Sequence, residues 1–130
     1  MERKSAPIIQ ELRENFSNKF LITTEKEKPF PFCGTQYEPD IVLWSKDTSS
    51  VLAIIEVEQG TRKHMVGGAI TADYCMKQSG HFPYFFVLSL KPNYKEDYRK
   101  RIPMLKSYVT SLQDIFVGDK DEVIEKVNRL

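Results

Sequence analysis

Three acids stand out by type and spacing. Asp40 precedes the apolar run Ile41, Val42, Leu43 and Trp44. Glu56 and Glu58, one residue apart, close the run from Val51 to Glu58. Carboxylates brought together repel one another unless one is protonated or a cation stands among them. A hard divalent ion with oxygen ligands relieves that repulsion. Magnesium suits such a set, because it takes one or two carboxylates and keeps waters for a phosphate substrate. The chemistry on offer is metal-assisted displacement at phosphorus.

Both runs must be strands for this to work. Side chains alternate along a strand, so Glu56 and Glu58 share a face with Leu52 and Ile54, while Val51, Ala53, Ile55 and Val57 take the other. A strand apolar on both faces is a central one, covered from both sides. The polar connector Ser45–Ser50 reads as a turn, which makes the two runs a hairpin. In a hairpin the start of the first strand lies beside the end of the second. Asp40 then neighbours Glu56 or Glu58, and three carboxylates are expected to converge at one edge of the sheet.

The other elements follow from periodicity and punctuation. Ser5 can cap a first helix with Pro7 in its opening turn, and Ile8, Ile9, Leu12 and Phe16 form its apolar stripe. Lys19–Thr24 reads as a strand, and Glu25–Gln36, with Pro29, Pro31 and Gly34, as a loop. A helix is expected from Thr61, its cap, to about Gln78, stopped by Gly80. Gly67 and Gly68 inside it weaken the helix and would permit close packing on the sheet. Pro83–Leu90 reads as a strand, and Lys91–Leu112 as mostly helical, with Pro103 marking a break or a new start. Asp114–Gly118 reads as a last strand. The closing helix is capped by Asp119 and has Val123, Ile124 and Val127 on its apolar face. The order αβββαβαβα is that of an α/β (α+β) chain: a mixed sheet flanked by helices.

The 130 residues fit one domain, 1–130, with no linker or repeat to divide them. Hydrophobic content of 41% and charged content of 28% are those of an ordinary globular chain, so a packed core is affordable. A net charge of +1 marks no bulk attraction to nucleic acid or membrane and leaves only local patches. The charged start lacks the apolar stretch of a signal peptide, and no run approaches the ~20 apolar residues of a membrane span. Cys33 and Cys75 stand in different elements without zinc-ligand spacing, and reduced thiols are expected. A cytoplasmic protein with no membrane partner follows.

Pro39–Asp40 and Glu56-Val57-Glu58, on a hairpin followed by a helix, resemble the two halves of the PD-(D/E)XK nuclease motif, with Glu58 where that family usually has lysine. The resemblance covers Ser5 to Leu90. It implies the restriction-endonuclease-like fold, core order αβββαβ, with the remaining αβα as an elaboration. It implies a metal-dependent DNA endonuclease of restriction, homing or junction-resolving type, using Mg2+ or Mn2+ and acting as a homodimer. Asp40 and Glu56 would hold the metal, aided by the Val57 carbonyl and an acid of the first helix. Glu11, which flanks the apolar stripe, is preferred there over Glu14, which lies nearly opposite it.

The departure at Glu58 leaves alternatives open. Glu58 could be a general base or a further metal ligand. The missing lysine could be supplied by Lys63 or Lys77, fourteen residues apart and on one helical face, or both could be surface charges. Arg62, Lys63 and His64 would stand at the mouth of the site to position phosphate. His64 could carry a proton or be an ordinary exposed residue. Lys95, Arg99 and Arg101, interleaved with Tyr94 and Tyr98, could follow a nucleic-acid backbone or form a solvated helix face. The rival to an enzyme is a catalytically inactive nuclease-like fold that binds nucleic acid or protein. A third reading is an unrelated α/β interaction module with its acids in solvent.

Overall fold

The longest apolar run becomes the centre of the sheet. A computed structural model of the chain describes residues 6–27, 37–47, 49–60 and 62–130. The expected caps Ser5 and Thr61, Cys33, and most of the expected loop with Pro29, Pro31 and Gly34 lie outside these residues. The elements are α1 (Ala6–Phe16), β1 (Leu21–Thr24), β2 (Ile41–Trp44), β3 (Val51–Glu58), α2 (Arg62–Ser79), β4 (Tyr84–Ser89), α3 (Pro92–Tyr108), β5 (Asp114–Gly118) and α4 (Lys120–Asn128).

The five strands lie in sequence order, so the sheet is mixed and flanked by four helices. β1, β2 and β3 form an antiparallel meander, and β3, β4 and β5 run parallel. Parallel neighbours need a crossover, here supplied by α2 and then α3. Both crossovers step in the same direction across the sheet. Crossovers of one hand that do so leave their helices on one face. Met65, Ala69, Ala72 and Met76 of α2 and Tyr98 and Leu105 of α3 accordingly pack on Val42, Ile54 and Phe85. Ile8, Leu12 and Phe16 of α1 and Val123 and Val127 of α4 cover Ile41, Leu43, Ile55 and Val57 on the other face.

Three details depart from expectation. A bulge at Leu43/Trp44 pairs Trp44 with Val51 and leaves Leu52 as the extra residue of β3. Val51 therefore joins the α2–α3 layer, and Leu52 packs against the α1–α4 layer, the reverse of strict alternation. Pro103 does not break α3, which runs through it. Its ring stands on the exposed side, where water can meet the carbonyl that loses its N–H partner. Cys75, fully buried on α2, is disulfide-bonded rather than a free thiol. The spacing of two isolated cysteines carried no sign of this. None of the described helices is long and apolar enough to cross a membrane.

Asp119 closes the start of α4 as read from the sequence. Its carboxylate accepts from the Glu122 N–H at 2.9 Å, and Glu122 accepts from the Asp119 N–H at 3.0 Å. Two otherwise unpaired amides are satisfied reciprocally. Asp119→Ala should lower stability by about 1 kcal/mol, seen as a drop of a few degrees in Tm. An unchanged Tm would show that the box contributes nothing to folding.

Candidate functional site

The site is built by the register of one hairpin. Ile41 faces Ile55 across β2 and β3, so Asp40 falls opposite Glu56, on the α2–α3 side with Val42 and Ile54. At this point side chains take over the ladder. The Asp40 N–H donates to Glu56 Oε1 at 2.8 Å, and the Val57 N–H donates to Asp40 Oδ2 at 2.8 Å. Pro39, buried just before, has no N–H to continue the pairing. Tyr37, packed against the α2–α3 layer, donates its hydroxyl to Glu56 Oε2 at 3.3 Å.

Burial pushes the Glu56 carboxyl up to about 8, and the charges of Asp40 and Glu58 push the same way, against the Asp40 N–H and the Tyr37 hydroxyl. The Tyr37 phenol is raised well above its ordinary value, first by burial and then by Glu56. Glu56 is thus a carboxyl without enough positive charge around it.

An open groove of about 430 Å³ leads to Glu56 and Glu58 between the end of β3 and α2. Tyr37, Glu38, Glu56 and Glu58 line its strand side, and His64, Gly67, Gly68 and Thr71 its helix side. The entry to α2 is held by the Tyr98 hydroxyl, which donates to the Gly60 carbonyl. A Cβ on Gly60 would collide with the His64 ring, so glycine there lets the imidazole fold back over the turn.

Comparison with known proteins finds no matching family model, curated protein or solved structure.

The expected residues separate into those that meet and those that do not. Asp40 and Glu56 are adjacent. Val57 buries its side chain in the α1–α4 layer and turns its N–H to Asp40. A strand residue presents its N–H and carbonyl to the same neighbour, so the Val57 carbonyl also faces the β2 side. Glu58 lines the same groove but lies two residues beyond Glu56, past the start of β2, with no β2 residue opposite and Ser89 of β4 as its strand partner. The expected convergence of three carboxylates therefore reduces to a pair with a flanking third. Among the described residues no three acidic, His or Cys side chains come close enough to hold a metal ion. The pair does match the donor chemistry of a hard cation that keeps most of its waters.

Lys63 is exposed in the first turn of α2 and does not line the groove. Lys77 lies in the last turn, at the other end of the sheet. There His81 Nδ1 accepts from the N–H of Val51, the first residue of β3. A shared helical face did not mean a shared site. Glu11 is on the opposite face, paired with Lys120 at 3.1 Å, because α1 covers the α1–α4 layer. Arg62 opens α2, and its side chain lies outside the described residues.

The basic stripe of α3 is turned inward. Lys95 pairs with Glu122 at 3.2 Å, and Arg99 with Glu122 at 3.0 Å and Glu96 at 2.9 Å. Arg99 Nε also donates to the Val117 carbonyl. Arg101 Nε is buried with no hydrogen-bond partner. Asp73 accepts from the N–H groups of Thr110 and Ser111 and ties α2 to the chain after α3. Tyr37 escaped the sequence reading, since a tyrosine in a loop three residues before Asp40 carries no periodic signal.

Raising Glu56 from 4.5 to about 8 makes the folded state hold a proton that the unfolded chain releases. The folded state binds more protons between those values, so stability should fall as pH rises through that window. The slope is at most about 1.4 kcal/mol per pH unit, and it flattens above the folded value. Glu56→Gln should remove most of that slope. Denaturation midpoints from pH 4 to 9 check this, and parallel curves for the two proteins would refute the assignment.

Proposed function

We propose that the chain is a metal-dependent nuclease that hydrolyses phosphodiester bonds in DNA. The observation that carries this reading is the meeting of Asp40 and Glu56 beside an open groove that Glu56 lines, with the Glu56 carboxyl raised by burial and by neighbouring negative charge. Such a pair is relieved by a divalent cation. Asp40 and Glu56 would hold Mg2+ or Mn2+, and when bound the ion supplies Lewis acidity and an activated water. The chain's own residues prepare the place. Tyr37 orients Glu56, the Val57 N–H orients Asp40, and β3 and α2 screen the pair from bulk solvent. Glu58 and His64 stand in the groove as acceptors for a proton from the attacking water. A restriction-endonuclease-like arrangement of the core is part of the same proposal, supported by the antiparallel meander, the α2 crossover and the parallel β4.

One observation favours the second reading, a catalytically inactive nuclease-like binding module. Both acids of the pair already accept backbone amides, and the lysine expected at position 58 is a glutamate.

Supercoiled, linear and branched DNA incubated with Mg2+, Mn2+ or chelator separates the two. Cleavage should require the metal and fall at least ~100-fold in Asp40→Ala and in Glu56→Ala. Mn2+ at a hundred times its Kd should stabilise the protein by about 2.7 kcal/mol, an effect lost in Glu56→Ala. Cleavage that survives both substitutions sinks the site. Neither cleavage nor metal stabilisation favours the binding module.

A further inference from the structure

Helices α2 and α3 lie side by side on one face of the sheet, and two contacts fix how they meet. The Tyr98 hydroxyl reaches the Gly60 carbonyl, 38 residues back. The Asp73 carboxylate takes the N–H groups of Thr110 and Ser111, 37 and 38 residues ahead. This near-constant offset makes the helices parallel and sets Met104 level with Val66 and Tyr108 level with Ile70. Ile70 and Tyr74 flank Asp73, the α2 residue that reaches towards α3. Lys95 and Arg99 turn one flank of α3 to Glu122. Arg101, Met104 and Tyr108, spaced three and four apart and roughly opposite by helical phase, take the flank towards α2. Four of the six large hydrophobic side chains exposed among the described residues therefore meet along this one seam. They are Ile70, Tyr74, Met104 and Tyr108, between 42% and 71% exposed. Together they present on the order of 400 Å² of largely apolar surface, the scale at which a patch on a monomer is often functional.

Charge narrows what covers the seam. α2 and α3 carry three and five Lys or Arg residues against one and two acids, in a chain whose net charge is only +1. Asp73 is taken up by its two amides and Glu96 by Arg99. Lys63, Lys77 and Lys100 are exposed on the same two helices. At the head of the apolar stripe, Arg101 Nε is buried with no hydrogen-bond partner, a donor taken from water and left without an acceptor. A second copy docked about a two-fold axis would set this basic face against itself. A duplex offers phosphates but nothing apolar for Ile70 and Met104, and a bilayer surface is too flat to bring an acceptor between two helices. A groove between parallel helices fits a third helix. We propose that the seam docks an amphipathic helix of another protein. Its apolar side chains lie on Ile70, Tyr74, Met104 and Tyr108, and its carboxylates meet the lysines, one of them accepting from Arg101. This does not rest on the reading of Asp40 and Glu56.

The probe is a fluorescent helical peptide of about five turns, with leucines on one face flanked by glutamates, beside a twin with lysines in place of the glutamates. Anisotropy with the full chain should show the acidic peptide bound at least ~10-fold more tightly than its twin. Ile70→Gln and Tyr108→Gln, at exposed positions and good for a helix, should each weaken it at least ~5-fold with Tm little changed. Arg101→Leu should cut the preference for the acidic peptide at least ~5-fold and leave Tm the same or higher, since it removes an unsatisfied donor. Phe82→Ser, exposed in the chain after α2, should bind like wild type. Absence of binding, equal binding of the twins, or wild-type binding by Ile70→Gln and Tyr108→Gln overturns the inference. So does an unchanged preference in Arg101→Leu, or displacement of the peptide by duplex DNA or by phosphatidylserine vesicles. Self-association in sedimentation that Tyr108→Gln abolishes gives the seam to a second copy and overturns it as well.

Discussion

The candidate site depends on how the β2–β3 ladder ends. A regular ladder would continue with backbone pairing past Ile41, but Pro39 lacks the amide to do so. The Asp40 N–H and the Val57 N–H are met instead by the Glu56 and Asp40 carboxylates, at 2.8 Å each. The two acids are held by the backbone of the strands they terminate. Their positions are therefore as rigid as the sheet, and neither needs a mobile loop to be in place. The cost is electrostatic, since each carboxylate is near the other and Glu56 is half-buried.

The two-layer arrangement then decides which other residues can reach them. Because α2 and α3 pack on one face and α1 and α4 on the other, every partner of the pair must come from α2, from its entry at Gly60, or from the segment before β2. Glu11 is excluded by its layer. Lys77 is excluded by direction, since α2 runs back along β3 and puts its last turn near Val51. Lys95 and Arg99 of α3 are drawn to Glu122, which the Asp119 amide first and then their own hydrogen bonds hold down to about 2. They brace α3 against α4 and β5.

Much of the architecture was legible because its signals are local. β3 and β5 fall on the residues their composition marks, and Asp119 caps α4 as read from the sequence. That Asp40 neighbours an acid at the end of β3 was legible too, because a short polar connector leaves a hairpin little freedom of register, but the choice of Glu56 over Glu58 came from the register itself. What could not be read depends on three-dimensional context. The bulge that reverses Val51 and Leu52 is a one-residue adjustment with no compositional mark. Helical phase placed Lys63 and Lys77 on one face correctly and still misled, because phase says nothing of distance along the axis. Periodicity likewise showed which side of α1 is apolar but not which face of the sheet it would cover.

Glu58 bears on the mechanism through the same geometry. A lysine at that position would place a positive charge in the groove and lower the Glu56 carboxyl by direct attraction. A glutamate does the opposite and adds to the effects that raise it. The pair is left with two ways to relieve the repulsion, a proton on Glu56 or a cation from solution. These exclude each other, because a protonated Glu56 offers a weaker ligand. On the proposed metal reading, a cation would displace that proton near neutral pH, and its apparent affinity would rise with pH up to about 8. With glutamate rather than lysine at position 58, that relief comes from a proton or a solvent ion and not from residue 58.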